Sequence, residues 1–150
     1  TEEALERGLD FTMSPVPQVQ GYLGQGAGFV DLDSDGDPDV VLIGTGSEVS
    51  LCLGAADVLE AGGTKARVVS MPCVERFESQ SQDYRDGVLP PDVPRVSVEA
   101  GSTLGWARIV GDRGTSIGID HFGASAPAGV LAEKFGFTPE AVAARAKELL

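Results

Sequence analysis

Val40-Val41-Leu42-Ile43 is apolar at every position. A strand with one wet face alternates, whereas an unbroken apolar run indicates a strand covered on both faces, as in parallel sheets. Past Gly44-Thr45-Gly46 the period changes. Val49, Cys52, Leu53, Ala56 and Leu59 recur at helical spacing and make one apolar stripe. Thr45 and Glu48 have the spacing of a capping box at its start. Gly62-Gly63 ends it, since glycine tolerates the left-handed conformation there. Residues 66–71 read as the next strand, closed by Pro72. Short helices follow at 74–80 and 84–88, and Leu89-Pro90-Pro91 breaks the second. A strand at 95–99, a helix at 103–110 and a strand at 115–119 come next. A helix at 127–135 precedes a last one opened by Thr138-Pro139, an N-cap followed by proline at the first helical position. Val142, Ala146 and Leu149 form its buried stripe. A short strand at 29–32 leads the series. This alternation predicts an α/β fold, a largely parallel sheet with helices on both faces.

Ahead of that series the pattern dissolves. Pro15, Pro17, Gly21, Gly24, Gly26 and Gly28 break any long element. Residues 1–27 therefore read as a linker or N-terminal extension, with room for a short helix at 2–9. Residues 28–150 read as one compact domain, a length sufficient for an independent core. The first residues lack a methionine, a basic region and an apolar stretch, which argues against a secretory leader and predicts a fragment or processed piece.

Charge changes the picture little. The net charge is −12, and −8 of it falls in residues 1–40. The folded part is only mildly acidic, so neither a basic stripe for nucleic acid nor a membrane partner is expected. No apolar run reaches the 18 or so residues of a membrane span. Cys52 and Cys73 are the only cysteines. Without a Cys-x-x-Cys pair they predict free thiols in a reducing cytoplasm rather than a zinc site.

Three constellations carry candidate chemistry. Asp31, Asp33, Asp35, Asp37 and Asp39 alternate around Gly36, as in a calcium loop. The twelfth position is Leu42 rather than glutamate, so an acidic turn before the strand is the competing reading. Gly44-Thr45-Gly46-Ser47-Glu48-Val49 joins strand to helix like a dinucleotide fingerprint, but Val49 replaces the third glycine. A tight turn is the alternative. The carboxyl ends of the strands should also gather Cys73, Glu99, Ser102 and the single histidine, His121. That edge is where open parallel sheets bind ligands. Thr45, Gly46, Ser47, Glu99 and His121 are accordingly candidates for a small-anion site. The competing reading is an interface with the remainder of a larger polypeptide. Trp106 and Phe122 are expected in the core or at an interface.

Several blocks occur in fixed order: Val68-Val69-Ser70-Met71-Pro72, Tyr84-Arg85, Val98-Glu99-Ala100-Gly101-Ser102, Phe122-Gly123-Ala124-Ser125-Ala126-Pro127 and Lys134-Phe135-Gly136-Phe137-Thr138. In this order residues 26–150 resemble the C-terminal domain of transketolases. The resemblance implies a three-layer α/β/α sandwich on a five-stranded, mostly parallel sheet whose first strand is antiparallel. It implies part of a cytoplasmic, homodimeric enzyme that moves two-carbon ketol units between sugar phosphates. That enzyme uses thiamine diphosphate and a divalent metal, Mg or Ca, held by upstream domains. No cofactor ligand or catalytic residue carries over to this chain, because Ser34-Asp35-Gly36 is not the family's Gly-Asp-Gly…Asn metal motif. The domain's implied role is assembly, with regulation as a further option, and its implied partners are the upstream domains. The alternative is a free-standing module binding calcium or a small anion.

Overall fold

The computed structural model describes residues 19–20, 28–31 and 37–150. The short helix expected at 2–9, and Asp33 and Asp35, lie outside the described residues. Among the described residues six strands form one sheet: β1 (Val19–Gln20), β2 (Gly28–Asp31), β3 (Val40–Gly44), β4 (Ala66–Ser70), β5 (Arg95–Val98) and β6 (Thr115–Ile117). Their order is β1-β2-β4-β3-β5-β6. The last four strands are parallel throughout, with Leu42 opposite Val68 on one side and Val96 on the other. This four-stranded parallel sheet is the centre of the α/β domain. β2 joins it antiparallel to β4, and β1 joins β2 antiparallel. The sheet has six strands rather than five because Val19–Gln20 pairs with Phe29 and Val30.

The unbroken apolar run is explained by two covered faces. Val40 and Leu42 point one way, with Val68, Val96 and Val98. Over them lie helix α1 (Glu48–Glu60), which brings Cys52, Ala56 and Leu59, and helix α6 (Pro139–Lys147), which brings Val142 and Ala146. Val41 and Ile43 point the other way, with Val69 and Met71. That face is closed by Phe77 of α2 (Val74–Glu78), Val88 of α3 (Gln82–Val88) and Ile109 of α4 (Ala107–Val110). Val40 to Ile43 are each fully buried. Side chains of this size contribute about 1.5–3 kcal/mol apiece when removed from water.

The element ends follow local rules. Thr138 caps α6, its hydroxyl accepting from the Ala141 amide at 3.2 Å, with Pro139 in the first turn. Gly63 takes φ of 83° just past α1, as the paired glycines predict. The helix expected at 103–110 is shorter, only α4, because Thr103 and Leu104 are drawn into a loop described below. Helix α5 (Ala128–Phe135) starts directly after Pro127. Arg95 ties the second face together. Its guanidinium donates to the carbonyls of Ile109 (2.8 Å), Leu89 and Pro90 (3.0 Å each). Partial burial lowers its pKa.

Candidate functional site

The ends of β3 and β5 are neighbours, with Gly44 opposite Val98. The register therefore brings the next residues, Thr45 and Glu99, together. Thr45 is half-buried, and its hydroxyl donates to Glu99 Oε2. Gly46 and Ser47 complete the turn and are exposed. Ser47, not Thr45, holds the N-cap position of α1, and its own backbone is helical. Its hydroxyl donates to Glu48 Oε1 at 3.1 Å instead of accepting from the helix. The first turn is closed by backbone, with the Val49 and Ser50 amides donating to the Gly46 and Ser47 carbonyls at 3.2 Å each. The capping box expected between Thr45 and Glu48 does not form, because Thr45 is engaged across the sheet edge by Glu99. Two carboxylates, buried Glu48 and half-buried Glu99, thus flank the helix start. An anion arriving at Gly46 and Ser47 meets both and competes for the Thr45 hydroxyl.

A second cluster joins the loops after β5 and β6. Asp120 accepts from Ser102 Oγ at 3.0 Å, from the Thr103 amide at 2.9 Å and from Thr103 Oγ1 at 2.7 Å. Donors to a carboxylate favour its ionised form. The Thr103 hydroxyl and amide, then Ser102, hold the Asp120 carboxyl below its ordinary range although it is exposed. Beneath it the Ile119 amide donates to the Gly101 carbonyl at 2.7 Å. The approach is so close that a Cβ on Gly118 would stand 2.6 Å from Thr103 Cγ2 and 2.7 Å from the Gly101 oxygen. His121 is exposed, and its Nδ1 lies 2.8 Å from the Phe122 carbonyl oxygen. A carbonyl only accepts, so Nδ1 carries the proton. The ring meets Phe135 edge-on at 4.9 Å between centroids. Among the described residues, no hydrogen bond links His121 to Thr45 or Glu99.

Between the first turn of α1 and helix α5 runs a groove of about 540 Å³, lined mainly by apolar groups, including Leu51, Ile119, Ala124, Leu131 and Phe135, with Glu48 at its margin. Trp106 is buried, as expected of a core residue. Phe122 is not in the core: it is 99% exposed, and every residue from 120 to 130 is exposed. Of its two expected places only the interface remains open.

The other candidates are dispersed. Cys52 and Cys73 are free. Burial, then the charge of Glu48, pushes the Cys52 thiol up to about 12, which makes it a poor nucleophile. The Cys73 thiol donates toward Glu75 Oε2 at 3.7 Å. Of the aspartate series, Asp31 stands in β2 opposite Arg67, and Asp37 and Asp39 are exposed. Asp39 Oδ2 accepts from the Lys65 amide at 2.9 Å. Among the described residues, no three His, Cys, Asp or Glu side chains are grouped to hold a metal, and no helix is long and apolar enough to cross a membrane. Sequence reasoning missed Asp120 as the organiser of this edge. The available signal was Ser102-Thr103 after one parallel strand and an aspartate after the next.

Comparison with known proteins places this edge in context. Residues 27–138 match the family model described as the transketolase-like TK C-terminal domain. A transketolase of Nostoc sp. is 48% identical over 147 residues, covering 95% of this chain and 22% of the relative. A chloroplastic transketolase of Craterostigma plantagineum is 50% identical over 148 residues, covering 95% of this chain and 28% of the relative. The solved transketolase of Leishmania mexicana superposes with a TM-score of 0.75 at 46% identity, covering 83% of this chain and 18% of that one. The chain spans only 22% and 28% of the length of these two curated relatives.

Proposed function

The chain belongs to the family of transketolase C-terminal domains, and from that premise we propose that it is the assembly domain of a thiamine-diphosphate-dependent transketolase. The whole enzyme transfers two-carbon ketol units between sugar phosphates, as a homodimer. The observation that carries this reading is the family match across residues 27–138 in a chain that spans about a fifth of its relatives. The remaining four-fifths is then the partner that brings the reaction chemistry.

The described residues do not suit the cofactor. A diphosphate with its divalent metal needs oxygen ligands around the ion and donors for the phosphates. The described residues offer no three-ligand cluster. The turn at Gly46 and Ser47 is flanked by Glu48 and Glu99, which repel a diphosphate. No step of ketol transfer is therefore assigned to these residues. Regulation through the strand-end edge is a further part of the reading. The two free thiols suit a reducing compartment, and we place the enzyme in the cytoplasm on that ground, though several relatives are chloroplastic.

The test is direct. The purified chain alone should neither turn over xylulose 5-phosphate nor bind thiamine diphosphate in calorimetry. Ketol transfer by the isolated chain would sink the proposal.

A further inference from the structure

On the second face of the sheet, helices α2, α3 and α4 and the start of β5 enclose a cavity of about 340 Å³. Phe77, Leu89 and Ile109 give it apolar walls, and Arg85, Arg95 and Arg108 reach it from three separate elements. Three of the chain's eleven basic residues thus converge on one hollow, in a chain of net charge −12. The groove beside α1, by contrast, is lined by no lysine or arginine. Arg95 opens β5 and Glu99 follows its last residue, so the cavity lies toward the other end of that strand from the Thr45–Glu99 pair.

The three guanidiniums are fixed, mostly by groups that leave their charge uncancelled. Arg95 donates only to the carbonyls of Ile109, Leu89 and Pro90, and its Nε is buried without a partner. Arg85 donates to the Glu78 carbonyl at 2.8 Å and to the side-chain oxygen of Gln82. Arg108 has a carboxylate partner, its Nε standing 2.9 Å from Glu78 Oε1. Glu78 therefore anchors two arginines at once, by its carbonyl and by its carboxylate, which sets their forks side by side. The Arg108 side chain is 58% exposed, so its fork is open to a ligand. Asp86 also lines the cavity, with Oδ1 accepting from Gln82 Nε2 at 2.6 Å. Three guanidiniums against the carboxylates of Glu78 and Asp86 leave one positive charge in excess. Burial lowers the pKa of Arg95, and the charge of Asp86 offsets this only in part. An anion in the cavity supplies the missing compensation.

Guanidinium forks match phosphate oxygens two at a time, with geometry as well as charge. The volume is at the small end of the range of ligand sites, about 300–1,000 Å³. We infer that this cavity binds a small phosphate monoester, its phosphate held by the forks of Arg85 and Arg108 with Arg95 behind them, and its carbon chain against Phe77, Leu89 and Ile109. The site is independent of the assembly reading and uses none of the residues at the carboxyl edge.

The experiment titrates the chain with glycerol 3-phosphate at low ionic strength, by calorimetry and by NMR of the arginine Nε–H groups and backbone amides. Glycerol and inorganic phosphate are separate arms. Glycerol 3-phosphate should bind with a Kd of about 1 mM or less, as two charge-assisted contacts allow. Inorganic phosphate should bind more weakly, and glycerol not at all. The Arg85 and Arg108 signals should move, and the Gly46 and Ser47 amides should stay in place at these concentrations. Arg108→Ala should weaken binding about tenfold or more, and Arg108→Lys, which keeps the charge without the fork, should fall between it and the parent. Arg113→Ala removes an exposed arginine outside the cavity and should change the affinity by less than about twofold. Melting curves establish that each variant is folded. Arginine signals that stay still up to about 10 mM overturn the site. So does an affinity untouched by Arg108→Ala, or one weakened equally by Arg113→Ala, which would report diffuse charge. A phosphoserine peptide that binds where glycerol 3-phosphate does not would assign the cavity to a protein partner and overturn the choice of ligand.

Discussion

Ile43 and Phe122 are both large apolar residues near the carboxyl edge of one sheet, yet Ile43 is fully buried and Phe122 is 99% exposed. The difference lies in what surrounds them. Ile43 sits in a central strand paired on both sides, in one buried cluster with Val69, Met71 and Phe77. Phe122 sits in a loop whose backbone is anchored by its neighbours, with no covering element among the described residues. The strands hold the molecule together, and the loops leave Phe122 uncovered. Hydrophobicity alone does not separate these roles. Neighbouring strands and helices do.

The sharpest way to break the comparison is to truncate one residue of each kind. Leu42→Ala removes a fully buried side chain beneath α1 and should cost about 2–5 kcal/mol in urea unfolding. Phe122→Ala should stay within about 0.5 kcal/mol of the parent chain. A large loss at Phe122 would mean that this loop is part of the core.

Gly118→Ala probes the joint between the two regions. Its Cβ would press on Thr103 and on the Gly101 carbonyl, so the β5 and β6 loops must separate. A destabilisation of about 1–3 kcal/mol is expected in the same assay. A neutral result would show that the loops yield freely and present no fixed surface.

Acidification should loosen the loop edge before the strands. The folded-state pKa of Asp120 lies below its unfolded value. What it contributes is present above the unfolded value, about 4, and is lost as pH falls through the folded one. Relative to its intrinsic exchange rate, the Thr103 amide should be protected at neutral pH and lose that protection on acidification, while Leu42 stays protected. A carboxyl NMR titration of Asp120 with an ordinary or raised midpoint would contradict this.

The smallest effect is expected from small ions. Phosphate titrated against the chain should move the amides of Gly46 and Ser47 only at tens of millimolar, about the strength of isolated charge-assisted contacts. Calcium should bind more weakly than micromolar, since Asp39 already accepts from Lys65. Micromolar calcium affinity lost on Asp33→Ala would restore the aspartate loop as a site.

The sequence by itself determined the centre of this protein. Val40 to Ile43 could only be a strand with two dry faces, and the stripe from Val49 to Leu59 could only face one of them. Thr138-Pro139 and Gly62-Gly63 marked helix ends through local backbone chemistry, which needs no distant partner. The ordered blocks from Val68 to Thr138 identified the family. The edge was less legible. Thr45 has the spacing to cap α1, but the parallel register of β3 and β5 delivers Glu99 to its hydroxyl. Thr103 and Leu104 fit a helical pattern, but Asp120, 17 residues beyond Thr103, claims that turn. A linker composition hid Val19–Gln20, whose strand exists through pairing with β2. Periodicity reports contacts between residues a few positions apart and the burial of whole faces. Strand register, side-chain hydrogen bonds across loops and the exposure of Phe122 depend on chain segments brought together only when the sheet assembles.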